Sequence, residues 1–563
     1  MPEQSLPGSS TLDGASSQPA VNPNPEPLTP PDLGAGYSMP YPPYIAPQPR
    51  PKKHYPIQAP DMILALAVIV LGYLAWDWFL PRDGEISSFM NPVAAFFPGV
   101  VITIYFILAV GCSLTYFAFQ KVRLNPSSII GAAVILLTAL TFSLFDTTPV
   151  HVFAGMFLLT GYVVWHGYVA NTALSTVPNG MFFGDVLNQS LVVPFSNAGS
   201  WFAGIRGLMR GNKTTTRVIL ALVGVLIALP VIAIVLILLM SADANFQMWM
   251  ENVGQVFIDL DVWGVIWKLS FAFPVGLYLF ALMYGNAHKM GTDSLNKENL
   301  TQAAASTRKI SLIAISTPMA LLCVIYVVFF SAMGSYFFLA FQRRAELPPE
   351  LTYAEFARRG FFELAVVAGI NLGVLVFTYL FANRKDSYPR VLRILGAALS
   401  GLTILLIVTS ISKMLLYVDQ YGLTRLRVYT TWFMCVLFII FVLLFIWHIR
   451  QFKIGTPIIG VTVVAFLALT WANTDAMIAN YNVNAHLTHG TSIDVYYLAG
   501  ELSDAAVPAL VTLRDETTHS SVRAEVVHAL ADRKKDGTSM RSPGKAPWTA
   551  WNWQSSKAKA LLE

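Results

Sequence analysis

Charge is the scarce component of this chain. Only 12% of its 563 residues are Asp, Glu, Lys or Arg, while 55% are hydrophobic, and mean hydropathy is +0.56. A soluble protein carries about 25% charged residues. A solvated fold of this length would leave too much apolar surface wet, so lipid is the indicated solvent. The net charge of +5 is modest and reflects loops beside membrane spans; no nucleic-acid partner is indicated. Cysteine is nearly absent. Cys112, Cys323 and Cys435 each lie inside an apolar run and read as packing residues, with no disulfide framework. Also missing are a Gly-rich phosphate loop ending in Lys-Ser/Thr, His-Glu-x-x-His and Gly-x-Ser-x-Gly. Those absences argue against ATP hydrolysis and common metalloprotease chemistry, and no cofactor is indicated.

What the chain does have is eleven long apolar runs between Met62 and Trp471. About 20 apolar residues cross the hydrocarbon core as a helix. The runs predict spans near Met62–Leu80, Val93–Phe119, Ser128–Phe145, Val150–Ala170, Val218–Met240, Trp263–Tyr284, Ile310–Ala340, Phe361–Phe381, Val391–Leu416, Val428–His448 and Ile454–Trp471. Pro98, Pro230, Pro274 and Pro318 lie within these runs and are expected to kink them. The expected fold class is an all-α polytopic transmembrane bundle of about eleven spans (ten to twelve), with a disordered N-terminus and a small helical tail. Its segments are 1–56, Pro-rich and disordered; 57–472, transmembrane; 473–532, the helical tail; and 533–563, a flexible Trp-containing terminus. No signal-peptide pattern precedes the first run, so that span is expected to act as its own insertion signal.

Positive charge orients the chain. Alternate loops, starting with Arg50, Lys52 and Lys53, hold nineteen Lys and Arg; the opposite set holds seven. Positive loops stay cytoplasmic, which puts the N-terminus inside and, for an odd number of crossings, the tail outside. Met181–Gly211 mixes aromatic, apolar and polar residues between basic ends and is expected along the cytoplasmic surface; Phe246–Leu260, with no basic residue, fits the outer surface. For both stretches an ordinary loop is the alternative.

The outer junctions hold the unusual residues. One reads Leu351-Thr352-Tyr353-Ala354-Glu355-Phe356-Ala357-Arg358-Arg359-Gly360-Phe361-Phe362-Glu363, with four arginines between Arg343 and Arg359 on the side that should be poor in them. Glu363 enters the next span and Asn371 follows about two turns deeper; an intramembrane carboxylate needs a partner or water. The next junction, Lys413 to Arg427, holds Tyr417, Asp419, Arg425 and Arg427. Lys413 either neutralises Glu363 or snorkels; Lys268 is expected to snorkel. Asp475 and Tyr481 follow the last span. His486 and His489 make only a weak metal signal, and solvated loop histidines are the expected reading. Leu498 to Leu530 has helical apolar spacing and reads as a hairpin resembling one helical-repeat unit, which must pack on something. Trp548, Trp551 and Trp553 suit contact with that surface or with lipid. The candidate binding residues are therefore Tyr353, Glu355, Arg358, Arg359, Glu363, Asn371, Lys413, Tyr417, Asp419, Arg425, Arg427, Asp475 and Tyr481. Glu355, Arg358, Arg359, Glu363, Lys413, Asp419 and Arg425 are expected to lie close together.

These stretches carry a resemblance. Tyr353 to Leu364 with Asn371, Leu416-Tyr417, Tyr421 to Arg427, Asn473 to Asn482, and Asp494 with Tyr497 to Leu510 resemble bacterial multi-pass membrane proteins grouped as domain of unknown function 4173 and its relative 4153. Thr474 stands where that pattern has Pro. The resemblance implies a bacterial inner-membrane protein and supplies no mechanism. Three functional readings follow from the residues. The first is an envelope scaffold or sensor whose outer polar site and tail bind a ligand or an envelope protein. The second is a solute or ion transporter, or a subunit of one, using Glu363, Asn371 and Lys413. The third is an envelope enzyme on a lipid-linked anionic substrate, with Glu355 or Asp419 as acid/base and the arginines as anion clamps. The partner expected in every case is membrane lipid.

Overall fold

A computed structural model describes residues 57–79, 99–203, 262–292, 297–341, 361–383, 388–535 and 548–563, with scattered positions between 224 and 250. The helices are α1 (Ala59–Phe79), α2 (Gly99–Phe119), α3 (Pro126–Leu144), α4 (Thr148–Val169), α5 (Phe182–Leu187), α6 (Val193–Asn197), α7 (Val262–Ala287), α8 (Lys297–Ser306), α9 (Leu312–Phe341), α10 (Phe361–Phe381), α11 (Arg390–Tyr421), α12 (Arg425–Ile449), α13 (Gly455–Trp471), α14 (Thr474–His489), α15 (Val507–Glu516), α16 (Ser520–Lys535) and α17 (Trp553–Leu562). Among the described residues there is no named strand; one isolated bridge pairs Ile310 with Ala382. Among the described residues, eight helices are long and apolar enough to span a bilayer: α2, α3, α4, α7 and α9 to α12. In α1 the apolar stretch is the shorter Ala59–Ala75, and α13 passes only together with α14, to which it is bent by 60°. The run Val218–Met240 falls largely outside the described residues, as do Phe246–Leu260 and residues 1–56.

Local signals explain the helix ends. Asn125 caps α3, its Oδ1 accepting the Ser128 N–H at 2.7 Å, while Ser128 Oγ accepts the Asn125 N–H at 3.1 Å and Pro126 fills the first turn. Gly422, at φ +72°, ends α11. Pro98 and Pro230 lie outside the described residues. Pro274 and Pro318 lie inside α7 and α9, each a single helix.

The helices form three cores. Val68, Phe106, Phe117, Phe142, Leu158 and Phe280 join α1 to α4 and α7; Met319, Leu399, Ile407 and Phe441 join α9 to α12. The third, with Ile478, Leu498, Leu510 and Val526, belongs to the tail after Trp471. In lipid there is no hydrophobic drive between helices, so close backbone approach has to hold them. The α1–α7 crossing shows this: a Cβ added at Gly72 would sit 2.2 Å from the Ala272 carbonyl oxygen, and one at Gly276 would sit 2.9 Å from that of Val68. The tail differs, because in water burying a residue such as Leu510 is worth about 1.5–3 kcal/mol.

The helix ends sort onto two faces. Gly99, the α3–α4 turn, the α11–α12 turn and Asn473 share a face with the tail. On the opposite face, Asp61 accepts hydrogen bonds from Tyr116 and Gln120 (both 2.8 Å) and lies 3.1 Å from His288 Nε2, joining α1, α2 and α7. Replacing Gly72 with Leu is expected to lower the melting temperature in detergent by the equivalent of about 1–3 kcal/mol, the usual cost of overpacking. Gly111→Leu, where a Cβ meets nothing within 4 Å, is the control; equal effects of the two would refute a close α1–α7 crossing.

Candidate functional site at the tail junction

The site begins with a turn that only glycine accommodates. At Gly422 a Cβ would sit 2.4 Å from Asn482 Oδ1, in a left-handed backbone. Asn482 uses that space: its Oδ1 accepts the Leu423 N–H at 2.7 Å and its Nδ2 donates to the Leu423 carbonyl at 2.9 Å. A single α14 side chain thus holds both backbone polar groups of one loop residue.

Arg425, the first residue of α12, makes the main link. Its Nε donates to Asp475 Oδ1 at 2.8 Å and a terminal nitrogen donates to Oδ2. Asp475 is fully buried and also accepts the Ser503 N–H at 2.9 Å. The Arg425 N–H donates to Tyr497 Oη at 2.8 Å. Burial pushes the Tyr497 hydroxyl pKa up, which keeps it neutral. The Tyr429 hydroxyl lies 3.3 Å from Thr474 Oγ1. Arg427 is occupied differently. Its guanidinium stacks 4.1 Å from the Tyr417 ring centroid and donates to the carbonyls of Tyr421 (2.8 Å) and Gly422.

Beside this weld is an open cleft of about 390 Å³, lined among others by Asp419, Tyr421, Arg427, Tyr481, Asn482 and Asp494. Asp419, Tyr421, Tyr481 and Asp494 are exposed. One Asp494 oxygen accepts the Tyr497 N–H at 2.8 Å. A mixed rim of carboxylates, tyrosines and amides suits recognition of a small polar ligand or a polar chain segment. A smaller hollow of about 130 Å³ lies between Phe361, Phe362, Met414 and Tyr417.

The junction therefore brings together Tyr417, Asp419, Arg425, Arg427, Asp475 and Tyr481. Glu363 and Lys413 lie near enough for the carboxylate to act on the buried ammonium. Tyr353, Glu355, Arg358 and Arg359 lie outside the described residues. Asn371 does not join the cluster. It is buried within α10, where its Oδ1 accepts from Tyr326 Oη (2.7 Å) and its Nδ2 donates to Thr403 Oγ1 (2.9 Å), tying α9, α10 and α11 together. Lys268 sits 5.8 Å from the Tyr73 ring centroid. His486 Nδ1 donates to the Thr491 carbonyl at 2.7 Å, a structural bond. Among the described residues no group of three His, Cys, Asp or Glu could hold a metal.

Several junction residues escaped the sequence reading. Arg533 donates to the carbonyls of Ala499 (2.8 Å) and Leu502 (2.6 Å) and reaches Asp504 at 3.4 Å. The chain end assigned above as flexible is folded from Trp548 onward. The Trp551 carbonyl accepts the Val100 N–H at 2.8 Å, satisfying a first-turn donor of α2. Gln554 Oε1 accepts the Asp146 N–H at 3.2 Å while its Nε2 donates to Asn473 at 3.1 Å. Low hydropathy conceals such contacts, because they are made by backbone carbonyls and one amide.

This architecture, a bundle of long apolar helices followed by a small helical tail, defines a polytopic α-helical membrane protein. The family described as a domain of unknown function (DUF4153) matches residues 131–513. That is more than half of the 563 residues, and the chain belongs to this family. Of the two related families that the motifs resemble, the match falls on 4153, and the motif stretches lie inside it. No curated protein and no solved structure matches the chain.

Two outcomes follow for the weld. Arg425→Ala strands a buried carboxylate and is expected to cost about 3–5 kcal/mol of tail stability, read as thermal unfolding and protease release of the tail. The pair Arg425→Met with Asp475→Leu should recover most of it; a loss no larger than that of Arg514→Ala, at an exposed ion pair, would show that the link carries little. Gly422→Ala should destabilise more than Gly490→Ala. Both have positive φ, but only Gly422 meets another residue, so the difference in melting temperature isolates the Asn482 clamp.

Proposed function

We propose that the protein is an envelope sensor or scaffold whose tail-face cleft receives a polar ligand or an envelope protein segment. The resemblance of its motifs supports a bacterial cytoplasmic membrane, and the nineteen-to-seven distribution of Lys and Arg supports the N-terminus inside and the tail outside. One contrast carries the functional reading. Inside the spans, many described polar side chains are bonded to a neighbouring helix or to a carbonyl of their own helix. Asn371 is bonded on both sides, and Ser113 Oγ lies 2.8 Å from Tyr162 Oη and 3.1 Å from His166 Nε2 in the centre of the first bundle. At the tail face, polar side chains instead line an open cleft. Bonded polar residues act as helix glue; surface groups on loops braced by a rigid scaffold suit recognition.

The test is photo-crosslinking in living cells from a diazirine residue at Asp419 or Asp494, with lipid-facing Val464 as the control position. A discrete adduct at 419 and 494, absent at 464 and weakened by Gly422→Ala, is expected. Solute flux in proteoliposomes that is abolished by Asn371→Leu at unchanged thermal stability would instead make the protein a transporter.

A further inference from the structure

The segment from Met181 to Phe202 is amphipathic in the reverse sense for a helix lying in water. Its polar residues Asp185, Asn188, Gln189 and Asn197 are 0–2% exposed, while Phe183, Leu187, Leu191 and Phe195 are 80%, 54%, 52% and 73% exposed. These apolar residues recur every fourth position and form one stripe. The polar edge faces the protein. Asp185 accepts the Leu174 N–H at 2.7 Å and the Tyr168 hydroxyl at 3.1 Å. Gln189 Oε1 accepts from Asn286 at 2.7 Å, and Asn197 Nδ2 donates to the Met290 carbonyl at 2.8 Å. Glycines admit these groups: a Cβ at Gly167 would lie 2.6 Å from Gln189, and one at Gly285 would lie 2.5 Å from Asn197.

The segment also lies deep. Tyr278 donates to the Ser190 carbonyl at 3.1 Å, and the Trp201 ring meets Phe273 edge-on at 5.0 Å. At 1.5 Å per residue, Tyr278 and Phe273 are about 13 Å and 21 Å in from the Ala287 end of α7. Trp201 Nε1 donates to the Ala65 carbonyl of α1 at 3.2 Å, and α1 presents exposed Ile63 and Leu66 close by in sequence. The segment thus starts level with the ends of α4 and α7, where Gln189 meets Asn286 and Asn197 meets the Met290 carbonyl, and reaches inward along α7 and α1 at Ser190 and Trp201.

We infer that residues 181–203 are half-inserted into the leaflet opposite the tail, with Phe183, Leu187, Leu191 and Phe195 against lipid acyl chains. The depth and the enclosed polar edge together point to this occupant, since in water four large apolar side chains in one row would be an exposed patch without cause. The inference is independent of what the tail-face cleft binds.

Nitroxide labels at 183, 187, 191 and 195 of the full chain, with its three cysteines replaced by alanine, test it in phosphatidylcholine vesicles. Collisions with oxygen are expected to exceed those with a water-soluble nickel complex at all four positions, and the reverse at exposed Thr301 of α8. Nickel dominance along the stripe would overturn the inference, as would low access to both reagents with spin–spin broadening, the mark of a second copy. The unmodified chain supplies an independent readout: a vesicle lipid carrying a diazirine on its acyl chain should label peptides spanning 183–195, and absence of label there would also overturn it.

Discussion

The link between Arg425 and Asp475 holds the two halves of this molecule in one geometry. Arg425 opens a membrane-spanning helix; Asp475 lies in the first turn of the helix that leaves the membrane. Two parallel N–H to oxygen bonds fix the angle between them as well as the distance. The carboxylate is fully buried, so its desolvation has to be offset by Arg425 together with the Ser503 N–H. Removing one partner of such a pair costs more than replacing both, because an apolar pair could fill the same volume while a lone buried charge has no compensation. Asn482, Tyr497 and Gly422 then follow as dependents, each placed by the helix start that Arg425 secures.

The polar residues of the chain divide by solvent. Within the spans an unbonded hydroxyl or amide has no water to turn to, so Ser113, Tyr162, His166, Asn371 and Thr403 meet one another or the backbone. At the tail face water is available, and Asp419, Tyr421 and Tyr481 can remain exposed around an open cleft. At the segment after α4 the same rule runs backward: Asp185, Gln189 and Asn197 turn inward because the outside there is less polar than the protein.

The spans were legible because the hydrocarbon core imposes a length and excludes charge. Phe361–Phe381 agrees residue for residue with α10, and most other runs agree within a few residues. Arg425, Asp475 and Tyr417 stood out as charged or aromatic residues at span ends. Asn371 was equally conspicuous as a polar residue in lipid but proved to be a bond between three helices; a lone sequence does not show what lies opposite a side chain. The folded chain end was not legible at all, since Gln554 and the Trp551 carbonyl acquire meaning only from Asp146, Asn473 and Val100, which are far away in the chain.

Composition and periodicity alone therefore determined that this chain is an all-helical membrane protein with a separate helical tail, because both follow from local hydropathy and its 3.6-residue repeat. Only the tertiary structure decided which polar groups are bonded to each other and which line a cleft. Those outcomes depend on contacts between residues far apart in the chain, where an ångström of displacement separates a hydrogen bond from an orphaned charge.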